Sequence, residues 1–329
     1  MKKLIATMLI TGLLLFALVS TFFLRIEKSP VENLEEATIK LTFEGEFEIK
    51  SNNQGIPKLN WAAVKSLNYP EASGHLEIIE FGASEPFTIG EDEWGNSFVL
   101  LNFSEPKIGV NKYKLWTTVK VQKLDITTIL PSSEIIPQEF MDANDMVQSE
   151  DSKIKNLAVS IVKDSSNQLS KVQDITEWAY QNIVYDRAVE NETLDALWTL
   201  NNKRGVCVEI SHLAEALIRS VGIPARHVYG AAPYNFPVGW QEHTWVESYI
   251  GKWVPTDPTW DETEFIDPAH VTFARVPDQT FVEEKVSVSG RNIEMGYMIL
   301  PKMSVDILGE VRGKEPIVLK LFGKKFKIR

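Results

Sequence analysis

The sequence predicts an α+β protein with a β-rich first half and a second half that mixes helices and strands. Between Ala37 and Leu130, short runs of β-branched and aromatic residues alternate with Gly, Pro, Asn and Asp, a pattern typical of antiparallel strands joined by turns. Between residues 150 and 265, apolar residues recur at helical spacing, and strand-like runs follow them. These two patterns predict a β-sandwich-like domain followed by a compact α+β core.

Changes in composition divide the chain into four segments. We expect a transmembrane anchor or signal over residues 1–25, a β-rich domain over 37–130, an α+β core over 150–265 and a β-rich C-terminal extension over 266–329. The formal net charge of −11 argues against nucleic acid as a partner. The single cysteine excludes an intrachain disulfide, and because no metal-ligand spacing occurs we expect neither a metal nor a cofactor.

The N-terminus has the pattern of a membrane anchor. Lys2 and Lys3 precede an uncharged apolar run of 21 residues from Leu4 to Leu24, which as a helix would span roughly the 30 Å core of a bilayer. The two lysines predict a cytoplasmic N-terminus, so we expect a single-pass protein of the cell membrane with everything after Arg25 outside. The alternative is a signal peptide, whose cleavage would release a secreted protein.

The residues that can carry chemistry lie between Arg204 and Glu262. This segment contains Cys207, the only cysteine, followed by His243 and Asp257. A thiol, an imidazole and a carboxylate are the parts of a nucleophilic triad. The thiolate attacks, the imidazole transfers the proton, and the carboxylate holds the imidazole in the required tautomer.

The sequence around Cys207 predicts a helix that begins at this residue. Apolar residues recur at helical spacing from Val208 to Val221, and Gly222 followed by Pro224 is a typical C-terminal stop. Cys207 then occupies the first turn, where unpaired N–H groups and the positive end of the helix dipole favour a thiolate. A backbone N–H beside the cysteine is also placed to stabilise an oxyanion.

His243 and Asp257 lie on two predicted strands of one hairpin, with Gly251 in its turn. Side chains alternate between faces along a strand. A two-residue loop of Gly251 and Lys252 would therefore place His243 and Asp257 on opposite faces of the sheet.

A triad thus requires an odd-length loop or a bulge between Tyr249 and Trp253, with Gly251 at positive φ. In the simplest such loop, formed by residues 249–251, Ser248 pairs with Lys252. His243 then lies directly opposite Asp257. If Asp257 did not reach His243, Asp261 would be the next candidate for the orienting carboxylate.

Four short motifs resemble the core of the transglutaminase-like superfamily, of the membrane-anchored microbial type. They are Gly205-Val-Cys207, Gly222-Ile-Pro-Ala-Arg226, His243-Thr-Trp-Val246 and Trp253-Val-Pro-Thr-Asp257-Pro-Thr259. The resemblance covers about residues 150–262 and implies a papain-like fold with Cys207, His243 and Asp257 as its catalytic triad. It also implies a second oxyanion donor from a side chain upstream of the cysteine. That role is open to four residues, which are Tyr185, Trp198, Asn201 and Asn202.

The resemblance implies an extracytoplasmic thiol enzyme that acts on peptide or amide bonds of a protein or peptide substrate through a Cys207 thioester. Hydrolysis is favoured and transfer to an amine is possible, because the acceptor of the thioester alone separates the two reactions. The alternative is a catalytically silent, membrane-anchored adhesion or scaffold module that keeps the fold. Reactivity of Cys207 near neutral pH separates these two classes of function.

Overall fold

The computed structural model describes residues 34–235, 239–313, 318–321 and 324–327. The apolar run from Leu4 to Leu24 lies outside these ranges. Within them, no helix combines the length and the hydropathy needed to cross a membrane.

The first half of the chain is built of strands. Their bounds are β1 (Leu34–Ser51), β2 (Lys58–Ser66), β3 (Leu76–Ala83), β4 (Phe87–Glu91), β5 (Ser97–Asn102), β6 (Gly109–Gln122) and β7 (Leu124–Asp125). The alternation along β1 shows why these residues form a sheet, since Ile39, Leu41 and Phe43 are fully buried on one face while Lys40 is partly exposed on the other.

The second half mixes helices and strands. The helices are α1 (Ser152–Ile161), α2 (Gln168–Asn182), α3 (Ala196–Asn202) and α4 (Cys207–Ser220). The strands are β8 (Val184–Tyr185), β9 (Arg204–Gly205), β10 (Ala225–Asn235), β11 (Gly239–Tyr249), β12 (Trp253–Thr256), β13 (Phe265–Ile266), β14 (Val271–Val276), β15 (Lys285–Arg291), β16 (Ile293–Gly313), β17 (Val318–Leu321) and β18 (Lys324–Lys327).

Two four-stranded antiparallel sheets make up the β-rich part. Their strand orders are β16–β1–β6–β3 and β15–β2–β5–β4. Residues of both sheets, among them Phe43, Val64 and Leu101, belong to one hydrophobic cluster. The prediction of a β-rich N-terminal region is therefore confirmed.

Helix α4 is the central element of the second half. Twelve of its residues are buried, because α1, α2 and α3 contact it on one side and β10 and β11 on the other. The sheet beside it is antiparallel with the order β12–β11–β10–β14. Gly222, at φ +78°, follows the last turn of α4 as the sequence predicted.

The last part of the chain contributes strands to both halves. Strand β14 joins the sheet beside α4, whereas β15 pairs with β2 and β16 pairs with β1. Strands β17 and β18 pair with each other. The segment 266–329 thus connects the two parts of the molecule, while the four segment boundaries drawn from the sequence stay a prediction.

The hairpin of β11 and β12 has the odd-length loop that the sequence required. Tyr249 pairs with Trp253, which leaves a three-residue loop in which Gly251 has φ +82°. The expected pairing of Ser248 with Lys252 is wrong, because Ser248 pairs with Val254. The loop begins one residue later than expected, so the register shifts by two positions. A shift of two preserves the face on which each side chain lies.

Candidate active site

Cys207 is the first residue of α4 and is 6% exposed. Val206, which precedes it, has extended backbone geometry, and its N–H donates to Glu209 Oε2 at 2.9 Å. A side chain at position 205 would place its Cβ 2.5 Å from Glu209 Cβ, so the close packing at the start of the helix requires Gly205. The N–H groups of the first turn have no acceptor within the helix, which leaves that of Cys207 available at the thiol.

His243 and Asp257 form a buried hydrogen-bonded pair. His243 Nε2 donates to Asp257 Oδ2 at 2.7 Å, and both side chains are fully buried. Strand β12 ends at Thr256, so Asp257 is not directly opposite His243 but approaches it from the residue after the strand. Its other oxygen, Oδ1, accepts the Thr259 N–H at 2.7 Å. The carboxylate is therefore held at both oxygens.

Charge complementarity raises the pKa of His243 to about 9. Burial alone would lower this pKa, but the negative charge of Asp257 and the hydrogen bond to it outweigh the effect of burial, and Cys207 adds smaller contributions of the same sign. Burial would raise the pKa of Asp257, yet the charge of His243 and hydrogen bonds from His243 and His270 hold it well below its ordinary range. The pair is therefore suited to hold an imidazolium beside a carboxylate.

The His243 ring is fixed by aromatic packing and lies close enough to Cys207 for the thiol to contribute to its pKa. Trp260 stacks on the ring with a centroid separation of 4.3 Å and an interplanar angle of 15°. Within the described residues, Nδ1 of His243 is buried and has no hydrogen-bond partner. Because Nε2 is engaged by Asp257, Nδ1 is the nitrogen left to exchange a proton with Cys207.

Among the four upstream residues left open for the oxyanion, Tyr185 lies beside Cys207. Its strand β8 pairs in parallel with β9, two residues before the cysteine. The pKa of Tyr185 is raised mainly by burial and to a smaller extent by the charge of Cys207. The Tyr185 hydroxyl forms a hydrogen bond with the Gln241 side chain.

The other three residues are engaged elsewhere. The Trp198 ring packs under Arg204, with the guanidinium carbon 5.6 Å from the ring centroid. Asn201 Oδ1 accepts from Lys153 at 3.2 Å, and Asn202 Nδ2 donates to the Trp198 carbonyl at 2.8 Å. Tyr185 is thus the upstream side chain that the fold brings to the thiol.

The sequence did not single out His270, Asp267 or Trp260 as site residues. His270 Nε2 lies 3.1 Å from Asp257 Oδ2, and His270 Nδ1 lies 3.1 Å from Asp267 Oδ1. The three-residue spacing of Asp267 and His270 is only a weak sequence signal of a functional site. An aspartate that accepts from the backbone N–H two residues later, as Asp267 does from Ala269, is common in ordinary turns. Asp257 and not Asp261 contacts His243.

Among the residues that the structure describes, two groups of buried side chains have the composition of metal ligands. One is His243, Asp257 and His270, and the other is Glu262, Asp267 and His270. In both groups the imidazole nitrogens already donate to carboxylate oxygens. A metal ion would have to displace these protons, so we assign the residues to a hydrogen-bond network.

A thiol at the start of a buried helix, facing a histidine–aspartate pair on an antiparallel sheet, is the arrangement found in thiol enzymes of the papain-like type. Residues 155–258 match the family model of the transglutaminase-like superfamily. The core of the chain, over these residues, is therefore transglutaminase-like.

A solved structure is similar over most of the chain. It is that of a candidate cysteine protease from Cytophaga hutchinsonii, with a TM-score of 0.58 at 20% identity over 84% of this chain and 93% of that one. At this level of identity the likeness shows the fold alone. It extends beyond the core into the β-rich part, because the core match spans a much smaller range.

Curated relatives match shorter stretches. The uncharacterised protein ML0607 of Mycobacterium leprae is 32% identical over 90 residues, which is 26% of this chain and 32% of the relative. The uncharacterised protein YebA of Bacillus subtilis is 26% identical over 165 residues, which is 43% of this chain and 22% of YebA. The chain thus spans about a third or less of the length of these two relatives.

Proposed function

We propose that the chain is an extracytoplasmic thiol enzyme that cleaves peptide or amide bonds through a thioester at Cys207, with water as the favoured acceptor. The observation that carries this proposal is the orientation of His243. Its Nε2 is bound to Asp257 at 2.7 Å, while its buried Nδ1 is left for the thiol at the start of α4.

The proposed first half-reaction forms the thioester. The thiol proton passes to His243 Nδ1, and Cys207 Sγ attacks the carbonyl carbon of the substrate. The oxyanion accepts hydrogen bonds from the Cys207 N–H and from the Tyr185 hydroxyl. When the C–N bond breaks, His243 Nδ1–H protonates the leaving amine, and Asp257 keeps Nε2 protonated throughout.

The second half-reaction releases the acyl group. Nδ1 of His243, now neutral, takes a proton from water, whose oxygen attacks the thioester carbon. The C–S bond then breaks, and the proton returns to the Cys207 sulfur, giving a carboxylic acid and the free thiol. An amine in place of water would give a new amide instead. We favour water because an amine has to outcompete it for the same carbon.

Thiol reactivity tests whether the site is active. Cys207 is the only cysteine, so iodoacetamide labels one position in the full chain. We expect alkylation at pH 6 to be at least tenfold faster than that of a small free thiol, since His243 can take the thiol proton as the sulfur attacks. A Cys207 that reacts no faster than the free thiol would support the silent scaffold instead.

Product analysis tests the bond that is cleaved and the acceptor that is used. The full chain is incubated with a peptide mixture in ¹⁸O-water, with and without a primary amine, and the products are read by mass spectrometry. Hydrolysis places ¹⁸O in new carboxyl groups, whereas transfer adds the mass of the amine. Cys207→Ala is the control and should give neither product.

Membrane extraction tests the proposed location. If Leu4 to Leu24 forms an uncleaved anchor, carbonate washing should leave the full-length chain in the membrane with its original N-terminus. A soluble mature chain that begins near Thr21 would show that the segment is a cleaved signal.

A further inference from the structure

A second histidine contacts the carboxylate that orients His243. Asp257 Oδ2 accepts from His243 Nε2 at 2.7 Å and from His270 Nε2 at 3.1 Å. All three side chains are fully buried. His270 directly precedes β14, the strand on the far side of β10 from β11, so the fold brings it to the site from a separate segment.

Both ring nitrogens of His270 face carboxylates. Nε2 bonds Asp257, and Nδ1 bonds Asp267 Oδ1 at 3.1 Å. A neutral imidazole has only one N–H, so two such bonds require the doubly protonated ring. Burial opposes this charge, but the charge of Asp267 and the hydrogen bonds to both aspartates outweigh it and raise the pKa of His270 well above its ordinary value.

The remaining neighbours hold the ring in place. Trp245 and Trp260 meet His270 edge to face, with centroid separations of 4.9 and 5.4 Å. The titratable groups around His270 are Asp257, Asp267, Glu262 and, at 5.7 Å between ring centroids, His243. Burial, and after it the charge of Asp267, raise the pKa of Glu262 well above its ordinary value.

Imidazole and carboxyl groups therefore alternate along the row from His243 to Asp267. Asp257 lies between two imidazole rings, and Asp267 lies at the far end of the row. Since Oδ1 of Asp257 is held by the Thr259 N–H, the two imidazole N–H groups determine the position of Oδ2. Without His270, Oδ2 would lose its second donor, and His243 alone would hold that oxygen.

We propose that His270 is a positioning residue for the reaction at Cys207. Its Nε2–H fixes the Asp257 carboxylate toward His243, and Asp267 in turn fixes His270. The inference rests on the proposed function, because it assigns His270 to the same proton transfer.

Two amide variants separate this role from a general structural one. In His270→Gln the side-chain N–H can reach the place of Nε2 and donate to Asp257. In His270→Asn the shorter side chain reaches the place of Nδ1 and donates to Asp267 only. Both variants remove the imidazole and both keep a polar amide, so they differ in which of the two aspartates that amide contacts.

We expect the Gln variant to stay within about fivefold of the wild-type alkylation rate at pH 6. In the Asn variant, that rate should fall at least tenfold and its pH profile should change, because the contact with Asp257 that raises the pKa of His243 is weakened. With a peptide substrate, kcat should fall and KM should stay within about twofold. Equal effects of the two variants on rate and pH profile would overturn the inference and assign His270 a structural role.

A further measurement keeps the outcome decisive. If the Asn variant does not fold, proton NMR of the wild type and the Gln variant takes its place, and a hydrogen-bonded His243 ring N–H signal is expected in both. Loss of this signal in the Gln variant, or its absence from the wild type, would overturn the inference.

A wild-type Cys207 without enhanced reactivity would refute the proposed function itself. A reactive wild type with unaffected variants would refute only the role of His270.

Discussion

At the scale of single residues, the contact between His243 and Asp257 determines how the site can work. Asp257→Asn would replace the carboxylate that accepts from Nε2–H with an amide whose N–H can donate to an unprotonated Nε2. The His243 tautomer would then be wrong for taking the thiol proton. We expect kcat to fall by about 10²- to 10⁴-fold, and circular dichroism to show an unchanged fold.

The control for Asp257→Asn is Asp261→Asn, because Asp261 lies four residues away in the turn that follows Asp257. It should leave kcat within about threefold. Near-normal activity of Asp257→Asn would move the orienting role to another group.

The pKa of His243 predicts the alkaline limit of acylation. Because this pKa is raised to about 9, His243 stays an imidazolium and can protonate the leaving amine up to that pH. We expect kcat/KM to fall as the pH rises through about 9. In Asp257→Asn the fall should occur at lower pH, since the main charge that raises the pKa is gone. An alkaline limit that is the same in both proteins would contradict this assignment.

The same shift contributes to stability with a defined sign. The folded-state pKa of His243 is above its ordinary value of 6.5, so the contribution is complete below pH 6.5 and is lost as the pH rises through about 9.

At the scale of elements, the loop between β11 and β12 depends on Gly251. At φ +82° an L side chain is strained, while an added Cβ would meet no atom within 4 Å. Gly251→Ala should therefore lower the free energy of unfolding by about 1 kcal/mol for conformational reasons alone. Urea unfolding measures this change.

Gly74→Ala is the control for the loop, because an added Cβ there also meets nothing and the backbone is not left-handed. It should change the free energy of unfolding by less than about 0.5 kcal/mol. If both variants behave alike, the left-handed conformation at Gly251 is not required for the hairpin.

At the scale of the whole molecule, Glu284 joins the β-rich part to the sheet that carries His243. Its carboxyl group accepts hydrogen bonds from Ser66, from Asn68 at 2.7 Å and from Tyr113 at 2.8 Å. The Tyr229 hydroxyl on β10 donates to Asn68 Oδ1 at 3.2 Å. Burial raises the pKa of Glu284 to about 7, against the opposing effect of these hydrogen bonds.

This shift predicts how stability changes with pH. A carboxyl pKa raised from 4.5 to about 7 gives a contribution that is complete below pH 4.5 and is lost as the pH rises through 7. Glu284→Gln does not titrate, so its stability relative to the wild type should increase between pH 4.5 and 8, by up to about 3 kcal/mol. Urea unfolding across this range measures the difference, with the exposed-site variant Glu93→Gln in the same series. A difference that does not change with pH would show that Glu284 is ionised in the folded protein.

The sequence by itself determined the local features of the site. Helical spacing after Cys207 and the glycine at position 222 define α4, and side-chain alternation requires an odd-length loop around Gly251. These follow from sequence because helix ends and strand faces depend on residues close together in the chain. The register was wrong by two positions, since parity restricts which faces meet but not which residues pair.

Tertiary structure alone decided which distant groups meet the triad. His270 reaches Asp257 because β14 joins the sheet through β10, and Tyr185 reaches Cys207 because β8 pairs with β9. Strands β15 and β16 return to pair with β2 and β1, so the end of the chain completes the sheets begun at its start. No local pattern contains these pairings, because they depend on burying apolar faces that lie far apart in the sequence.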